Sequence, residues 1–519
     1  MNLSDWIDRH ADFTPARTAI RCNDVHLTYW EMANDVSRLA YALKNNLEVS
    51  RGDRVALIAQ NTVQSLVLAF ACARIGAIYQ PLNWRQATPE HVYALNDSSP
   101  KALFIANNFS DLVMDIVDDI PKMFFVALED GGPEDWPSCR RLIKDASCGL
   151  AVDPAITLDD SFLLCYTSGT TGRPKGAVLS QNAIFYNAAN SRHMHNLRRD
   201  DEVMVPIPLF HVGGMNILAT PALHAGAGVH LMSTFDVDET FDILEKNRIT
   251  LTVLVPAQLK AMLASPRWQS ADLTRLRCIS TGSTMVPTAM IGEIHEKGIP
   301  VIQVYGSTET TPLATYLTVE TADEGMGSGG KTGLHCQVRV VDENDEVLEA
   351  GKSGEVLVKG PNVLKEYWNN PEATARFLKD GWFYTGDIGH FDDKGYLFID
   401  DRKKDMIISG SENIYPAMLE NILSDCPGVK EASVVGRPDE KWGEAVVAVV
   451  ARENGAELDK NAVIGHFDGR IGRFAMPQDV MFVESLPRNA MGKVVKDEVR
   501  ATVNEMINNN NDDVGGCAS

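Results

Sequence analysis

The pattern of apolar and polar residues alternates between helical and strand-like segments from the start of the chain. Thr28 and Glu31 match a capping box, and the apolar residues that follow, as far as Leu43, recur at helical spacing. Residues 55–59 (VALIA) form a continuous apolar run of strand length, and a helical stretch and a second short apolar run at 78–82 come after it. This order predicts a parallel sheet flanked by helices.

The same alternation continues beyond this first segment, with strand-like runs at 101–106, 123–128, 203–208, 251–256, 277–281 and 301–305. After Gly330 the pattern changes to short strands and turns. We therefore predict an α/β fold in which a large N-terminal portion, 1–400, has mainly parallel sheets flanked by helices plus a β-rich subdomain. A small α+β domain, 401–503, follows. The polar tail, 504–519, is expected to be disordered.

The charge balance restricts the partners. Among 519 residues, 48 Lys and Arg stand against 70 Asp and Glu, so the formal net charge of −22 repels polyanions and argues against nucleic acid as a partner. The longest apolar stretch, 66–79, is interrupted by Arg74 and is too short to span a bilayer, so no integral membrane segment is expected.

Two further features indicate the compartment. The chain starts with Asp5, Asp8 and Asp12 where a signal peptide needs a cationic head. The nine cysteines show no paired or ligand-like spacing, which indicates buried thiols in a reducing compartment. A cytoplasmic location is therefore expected.

The segment YTSGTTGRPKG, 166–176, follows an apolar run and is typical of a phosphate-binding loop. Its small residues leave backbone N–H groups and hydroxyls free to approach phosphate oxygens, and Arg173 and Lys175 add positive charge. It lacks the Walker ending, and the alternative is an ordinary flexible loop. The later GMGSGG run, 325–330, matches GxGxxG but lacks the strand and helix that this motif requires, so we interpret it as a turn.

Three later segments carry weaker signals. In YGSTETTP, Glu309 lies among hydroxyls at the end of a strand and suits Mg²⁺, although Ser307 or Thr308 acting as a helix cap is an equal alternative. In FYTGDIGHF, Asp387 lies in a Gly-bounded turn and suits two vicinal hydroxyls, or else it is an Asx-turn residue. The charged run 401–405 is typical of a solvated connector, and Lys493 taken alone is typical of a solvated lysine.

Together and in this order, YTSGTTGRPKG, YGSTETTP, YTGDIG, DRKKDMI, GSENIYP and PRNAMGK resemble the adenylate-forming superfamily of acyl-CoA synthetases, luciferases and peptide-synthetase adenylation domains. The resemblance extends from the first helix to Lys496. It implies an AMP-forming acid–thiol ligase, in which a carboxylic acid attacks the α-phosphorus of ATP and coenzyme A then displaces AMP. ATP, Mg²⁺ and coenzyme A are the implied cofactors and cosubstrates.

The resemblance also implies a role for each matching residue. Thr308 would contact the α-phosphate, Glu309 would bind Mg²⁺, and Lys493 would bridge the attacking carboxylate and the α-phosphate from a mobile C-terminal domain whose hinge lies at Asp401. His211 would act as a gate to the acyl site. Asp387 would hold the ribose hydroxyls with the help of Arg402, and Gly282, Ser283 and Tyr305 would line the adenine and acyl cleft. Gly410 and Ser411 belong to the loop that would meet coenzyme A. The residues that would bind the β- and γ-phosphates are Thr167, Ser168, Gly169, Thr170, Thr171, Gly172 and Lys175.

One departure lies in the CoA loop. The family commonly has SGGENIYP followed by an acid, whereas this chain has Ser411 for the second glycine and Met418 at the acidic position. Because glycine adopts backbone angles that serine avoids, we expect the family's geometry at the ATP site rather than in this loop.

The acid itself is the open question. His211 replaces the Asp that pairs with the α-amino group in peptide-synthetase domains, which argues against an amino acid substrate. Our first choice is a medium- or long-chain fatty acid and our second an aryl or cinnamate-type acid, with a polycyclic acid left open. A non-catalytic nucleotide-binding regulator is the alternative from another class, and a homodimer is left open. The residues expected to shape the acyl pocket are Phe210, Gly213, Gly214, Met215, Asn216, Thr281 and Thr311. The two glycines predict a deep or wide pocket.

Overall fold

The structure is a computed structural model, and it describes residues 1–147, 149–167, 174–282, 286–409, 412–439, 442–468, 470–471, 475–489 and 492–515. For residues 412–413 and 507–515 the description covers the backbone.

Strands occur along the whole chain. In order they are β1 (Thr18–Cys22), β2 (Val25–Thr28), β3 (Arg54–Ile58), β4 (Ile78–Leu82), β5 (Ala102–Ile105), β6 (Phe124–Ala127), β7 (Ser161–Thr167), β8 (Lys175–Ser180), β9 (Glu202–Val205), β10 (Gly228–Leu231), β11 (Leu251–Val253), β12 (Cys278–Thr281), β13 (Val301–Tyr305), β14 (Thr315–Tyr316), β15 (Lys331–Thr332), β16 (Gln337–Val341), β17 (Gly354–Lys359), β18 (Glu366–Tyr367), β19 (Leu378–Lys379), β20 (Trp382–Phe391), β21 (Leu397–Arg402), β22 (Ile407–Ser409), β23 (Glu412–Ile414), β24 (Val429–Asp439), β25 (Gly443–Arg452) and β26 (Asp479–Val483).

Helices separate most of these strands. The α-helices are α1 (Ser4–Phe13), α2 (Tyr29–Asn45), α3 (Val63–Ile75), α4 (Thr88–Ser98), α5 (Ser110–Asp115), α6 (Cys139–Asp145), α7 (Gln181–His195), α8 (Val212–Gly214), α9 (Thr220–Ala225), α10 (Val237–Lys246), α11 (Pro256–Ala264), α12 (Arg267–Ser270), α13 (Thr288–His295), α14 (Pro371–Phe377), α15 (Pro416–Ser424), α16 (Lys460–Gly465) and α17 (Lys496–Gly515). Short 3₁₀ turns at Asn107–Phe109, Thr308–Thr310 and Val319–Thr321 and a π-helix at Met215–Ala219 complete the set.

The chain divides into two compact units. The first comprises 1–339, 357–385 and 394–397, and the second comprises 340–356, 386–393 and 398–519. The predicted domain boundary at Asp401 stays a prediction.

The first unit contains two large sheets. One has the order β15-β14-β13-β12-β11-β9-β10-β1-β2, and its six strands from β13 to β1 are mutually parallel. The other has the order β18-β8-β7-β4-β3-β5-β6. In it β7, β4, β3, β5 and β6 are parallel, β8 is antiparallel to β7, and β18 is antiparallel to β8. The predicted α/β class with mainly parallel sheets is thus confirmed.

The predicted capping box is present at the start of α2. The Thr28 hydroxyl accepts a hydrogen bond from Glu31 N at 3.2 Å, and Thr28 N donates to the Glu31 carboxylate at 2.8 Å. The longest apolar stretch of the sequence forms most of α3, which is buried along its length. Arg74 at its end is buried as well, and it donates to the Asp8 carboxylate and to Leu150 O. The apolar stretch is therefore a core helix with a paired cation.

A β-rich sheet and a smaller α+β sheet complete the fold. The β-rich sheet has the order β16-β17-β20-β19 with β21 beside β20, and the smaller one has the order β23-β22-β25-β24 with β26 beside β25. The core under the smaller sheet includes Leu419, Leu423 and Phe467, which are fully buried. This part of the second unit corresponds to the predicted α+β C-terminal portion.

Two interpretations of local structure were wrong. Asp387 lies within β20, where the chain kinks at Gly386 (φ +70°), and not in a turn. The run 401–405 is not a solvated connector, because Asp401 and Asp405 are both buried, and Asp405 pairs with Arg500 at 2.7 Å. Local composition does not reveal the partners of these two carboxylates, which are Ala417 N in α15 and Arg500 in α17.

The backbone of α17 runs from Lys496 to Gly515 and so extends into the polar tail. The predicted disorder of 504–519 stays a prediction. Val499 and Val503 are buried, and Met506 packs against the same cluster, so an apolar stripe at helical spacing anchors the first turns. The predicted turn at 325–330 is present, with positive φ at Gly327 and Gly330.

Seven cysteines fall among the described residues, and none of them forms a disulfide there. All are buried except the half-buried Cys336. Burial raises the thiol pKa to about 12 at Cys139, Cys165 and Cys278, and to about 11 at Cys336. No helix in the described part of the chain is both long and apolar enough to cross a membrane.

Candidate active site

The predicted phosphate loop is closed at its base by an antiparallel pair of strands. β7 and β8 pair so that Thr167 lies opposite Lys175, and the Thr167 hydroxyl donates to Lys175 O at 3.3 Å. Ser168, Gly169, Thr170, Thr171 and Gly172 lie outside the described residues.

Lys175 lies against two aromatic rings. Its ammonium is 4.4 Å from the ring centre of Phe377 and 5.1 Å from that of Tyr367, which is cation–π geometry. Burial lowers the Lys175 pKa; the carboxylate of Glu309 opposes this shift, and Arg376 adds to it. Lys175 and Glu309, which are predicted to act on the same nucleotide, are therefore electrostatically coupled.

Glu309 is a buried carboxylate held at one oxygen. The Tyr367 hydroxyl donates to Oε1 at 2.8 Å, and Leu364 N donates to the Glu309 backbone carbonyl at 2.7 Å. Oε2 has no hydrogen-bond partner among the described residues. A single hard oxygen with phosphates nearby suits Mg²⁺, which usually takes one or two protein carboxylates and completes its shell with phosphates and water. The described residues contain no group of three or more His, Cys, Asp or Glu side chains that could hold a metal ion.

The segment that presents Glu309 is a 3₁₀ turn, Thr308–Thr310, immediately after β13. Thr310 accepts a hydrogen bond from Ser307 N at 2.9 Å, while the buried Ser307 hydroxyl has no partner among the described residues. The Ser307 side chain is therefore not the helix cap of the alternative interpretation. At Gly306 a Cβ would lie 1.6 Å from Pro312 O, so the approach of the two backbone segments requires glycine.

Three predicted groups lie at the carboxyl edge of the parallel part of the nine-stranded sheet. The loop to His211 follows β9, Gly282 follows β12, and Tyr305 ends β13. This is the edge at which ligands bind in open α/β sheets. A Cβ on Gly282 would lie 2.8 Å from Val304 Cγ2, which explains the glycine. Ser283 lies outside the described residues.

The loop before His211 is fixed by one buried amide. Asn61 accepts from Leu209 N at 2.8 Å and donates to Ile207 O at 3.0 Å and to Met232 O at 2.9 Å. The rings of Phe210 and His211 follow, with centres 4.5 Å apart. The sequence analysis interpreted the glycines after His211 as signs of a wide pocket, but at Gly214 a Cβ would lie 2.1 Å from Pro208 O, so this glycine serves backbone packing.

Two of the residues expected to shape the acyl pocket carry unpaired polar atoms. Thr281 Oγ1 and Asn216 Nδ2 are buried and have no hydrogen-bond partner in the described part of the protein. Thr311 differs, because its hydroxyl donates to Asn362 O at 2.6 Å. Unpaired buried polar groups are costly and so indicate a missing ligand or water.

The second unit contains the remaining predicted groups. Arg402 Nε lies 2.6 Å from Asp387 Oδ1, and the Asp387 side chain is almost fully buried. Lys493 lies in a turn in which its N–H donates to Asn489 Oδ1 at 3.0 Å and its carbonyl accepts from Asn489 N at 2.9 Å. Burial lowers the Lys493 pKa and Arg402 lowers it further, while Asp387 opposes. Gly410 and Ser411 lie outside the described residues.

Asp401, the predicted hinge residue, is buried and hydrogen-bonded on both oxygens. Oδ1 accepts from Arg402 N at 2.6 Å, and Oδ2 accepts from Ala417 N, in the first turn of α15, at 2.8 Å. Its pKa is raised by burial, against which Lys496 and the two N–H groups act.

Tyr367 and Phe377 are the site residues that the sequence analysis missed. They lie in the segment interpreted only as short strands and turns, and Tyr367 is 58 residues from Glu309 along the chain. The available signal was the aromatic pair Tyr-Trp directly before the Asn-Pro start of α14.

Comparison with known proteins decides the family. The family model for AMP-binding enzyme matches residues 7–368. The chain belongs to the AMP-binding enzyme family. A second model, the AMP-binding enzyme C-terminal domain, matches residues 418–493 and so ends at Lys493. The predicted class of AMP-forming acid–CoA ligase is confirmed, as is the use of ATP, Mg²⁺ and coenzyme A by this class.

Relatives of this AMP-binding enzyme align over nearly their whole length. It is 50% identical over 503 residues to an indoleacetate–CoA ligase of Aromatoleum aromaticum, covering 97% of this chain and 98% of the relative. It is 38% identical to a feruloyl-CoA synthase of Amycolatopsis sp, covering 96% and 98%. The crystal structure of ATP-bound MatB from Rhodopseudomonas palustris superposes with a TM-score of 0.87 at 32% identity, covering 97% and 99%.

Proposed function

We propose that this AMP-binding enzyme joins an aryl-substituted carboxylic acid, of the arylacetic type, to coenzyme A through an acyl-adenylate. The observation that carries the proposal is the 50% identity, over 97% of the chain, to a ligase named for indoleacetate. On the sequence alone, a fatty acid is the first choice of substrate and an aryl acid the second. The relatives favour the second, because two of them are named for aryl acids.

The loop after β9 supports a flat substrate. Asn61 makes two hydrogen bonds to this loop and one to Met232 O, so the neighbouring rings of Phe210 and His211, tilted by 53° to each other, are presented on a fixed backbone. Aromatic rings pair best in fixed offset or edge-on arrangements, and a rigid aromatic wall loses little entropy when a ring binds.

The unpaired polar atoms support a substrate with a polar ring substituent. Thr281 Oγ1 and Asn216 Nδ2 are buried without partners among the described residues even before an acid binds, so a polar substituent that reaches them gains hydrogen bonds that an alkyl chain leaves unmade. A heteroaromatic N–H or a phenolic oxygen pairs with such groups. We therefore assign these two residues to recognition of the ring substituent.

The charged groups would act as follows. Lys493 would neutralise the carboxylate as it meets the α-phosphate, and Lys175 would bind the outer phosphates; this is electrostatic catalysis without a proton transfer. Asp387, oriented by Arg402, would accept from the ribose hydroxyls. Thr308 would donate to the α-phosphate, and Glu309 would hold Mg²⁺, which neutralises phosphate charge when it is bound.

The experiment is a matched acid panel. AMP release in the presence of coenzyme A is measured with indoleacetate, phenylacetate, ferulate and straight-chain acids of the same carbon number. We expect kcat/KM for an arylacetate to exceed that for the matched alkyl acid by about 100-fold, the equivalent of roughly 3 kcal/mol in the transition state. A higher kcat/KM for the alkyl acids would refute the proposal.

The second candidate is a fatty acid. It is favoured by 36% identity, over 92% of this chain and 93% of the relative, to a long-chain-fatty-acid–CoA ligase of Mycobacterium tuberculosis. In the same panel it predicts a rise of kcat/KM with chain length. The cytoplasmic location and the homodimer stay predictions.

A further inference from the structure

Tyr367 connects two parts of the nucleotide site that lie on different sheets of the first unit. Its hydroxyl donates to Glu309 Oε1 at 2.8 Å, and its ring lies 5.1 Å from the Lys175 ammonium. Glu309 follows β13 of the nine-stranded sheet, whereas Lys175 begins β8 of the seven-stranded sheet. One side chain thus contacts both the carboxylate proposed for Mg²⁺ and the lysine proposed for phosphate.

The backbone around Tyr367 is fixed on both sides. β18 pairs with β8 so that Tyr367 lies opposite Ala177, and Trp368 N donates to Gly176 O at 2.7 Å. Tyr367 N donates to Thr374 Oγ1 at 2.9 Å. The phenol is therefore presented from a short strand that is part of the phosphate-loop hairpin, and its position relative to Glu309 is set by that strand.

The hydrogen bond has a geometric consequence at Glu309. A glutamate has a freely rotating terminal carboxylate, and a donor on Oε1 restricts that rotation and leaves Oε2 as the oxygen without a partner among the described residues. Groups that hydrogen-bond a ligating carboxylate orient it for the metal, and their loss typically weakens metal affinity by about 10–100-fold.

We propose that Tyr367 is a positioning residue for the metal, which orients Glu309 so that Oε2 faces Mg²⁺ while its backbone strand keeps the carboxylate in register with the phosphate-loop hairpin. The proposal rests on the proposed assignment of Glu309 to Mg²⁺. It predicts that Tyr367 matters for the metal complex of the nucleotide and not for the nucleotide itself.

The test measures binding in place of turnover. Calorimetry gives the affinity for an α,β-methylene analogue of ATP with Mg²⁺ and with a chelator, for the wild type and for Tyr367→Phe, which keeps the ring beside Lys175. We expect Tyr367→Phe to weaken binding of the Mg²⁺ complex by about 10-fold and to leave metal-free binding within about twofold. Equal loss in both conditions, or no loss in either, would overturn the proposal.

A matched control separates this role from general loss of a tyrosine–glutamate bond. Tyr396 OH donates to Glu324 Oε2 at 2.7 Å in the same unit, and neither residue is among those predicted to bind the nucleotide or the metal. Tyr396→Phe removes the same atom from the same kind of pair, and we expect nucleotide affinity to be unchanged with and without Mg²⁺. Weakening of the Mg²⁺ complex by this control as well would count against Tyr367.

Two further variants keep the outcome interpretable. If Glu309→Gln retains the full effect of Mg²⁺ on affinity, the assignment of Glu309 fails; if it loses the effect while Tyr367→Phe retains it, only the role of Tyr367 fails. Thr374→Ala, which removes the acceptor for Tyr367 N, serves if Tyr367→Phe does not fold. It is expected to weaken the Mg²⁺ complex by about threefold, in line with one lost hydrogen bond, and no change would overturn the proposal.

Discussion

Lys175 and Lys493 are both assigned to the phosphates, but they lie in very different surroundings. Lys175 begins a paired strand, contacts the rings of Tyr367 and Phe377, and has its positive charge favoured by Glu309. Lys493 lies in a turn, forms no ion pair with the described residues of its own unit, and has Arg402 as its main charged neighbour.

The difference indicates two ways of using a cation. Burial lowers the pKa of both lysines, but the strongest charge acting on Lys175 is the carboxylate of Glu309, so part of its positive charge is balanced before any ligand binds. The charge of Lys493 is opposed by burial and by Arg402, so an incoming carboxylate and phosphate relieve an unfavourable interaction. Lys493 is therefore the group whose contribution depends most on the reacting complex.

The largest expected effect follows from removing the second lysine. Lys493→Ala should slow adenylate formation by about 10³-fold, because a charge aimed at the reacting atoms is lost, while thioester formation from preformed acyl-AMP changes little. Pyrophosphate exchange and single-turnover thioester formation measure the two halves separately. Equal losses in both halves would remove the distinction drawn between the two lysines.

An intermediate effect is expected at Arg402. The Lys493 pKa is lowered first by burial and then by Arg402, and Lys493 must be protonated to act, so activity is lost as the pH rises through this pKa. Arg402→Gln removes a like charge and leaves Asp387 to favour the ammonium, so the pKa rises and the alkaline limb of the adenylation pH profile should move to higher pH.

The measurement is kcat/KM for ATP in pyrophosphate exchange across the alkaline range. A limb that stays in place, or moves to lower pH, would show that Arg402 does not set the charge of Lys493. The thioester half-reaction, which is not assigned to Lys493, provides the control.

The smallest effect is expected at Phe377. Phe377→Leu keeps an apolar side chain but removes the ring nearest the Lys175 ammonium, so it should raise the KM for ATP by about two- to threefold, the equivalent of a partly exposed cation–π contact. Steady-state kinetics measure this, with unchanged kcat as the companion result. If Phe377→Leu lowered activity as much as Lys493→Ala, the contact between the Phe377 ring and the Lys175 ammonium would contribute far more than a partly exposed cation–π contact does.

The local signals in the sequence were reliable where neighbouring residues determine the structure. The Thr28–Glu31 box and the strand-ending position of Glu309 depend on residues within one turn or one strand, and both were predicted. The fold class followed from the alternation of strands and helices, because each sheet needs helices to cover it.

The signals failed where a partner is distant along the chain. The Tyr367–Glu309 bond spans 58 residues and the Asp405–Arg500 pair spans 95, and neither leaves a pattern in local composition. The glycines after His211 were attributed to pocket width, whereas the closeness of Pro208 O explains Gly214. The order of motifs along the chain identified the chemistry, but the side chain of Tyr367, which contacts both Glu309 and Lys175, is brought to them by the tertiary structure.

The buried cysteines have a practical consequence for following this enzyme. Coenzyme A carries a free thiol that disappears as product forms, so a thiol-reactive chromophore reports turnover directly. Because burial raises the thiol pKa of Cys139, Cys165 and Cys278, these side chains hold little thiolate near neutral pH and react slowly with such a reagent. The protein's own background should therefore be small for these positions, and each acid in the panel can be assayed in real time without first removing them.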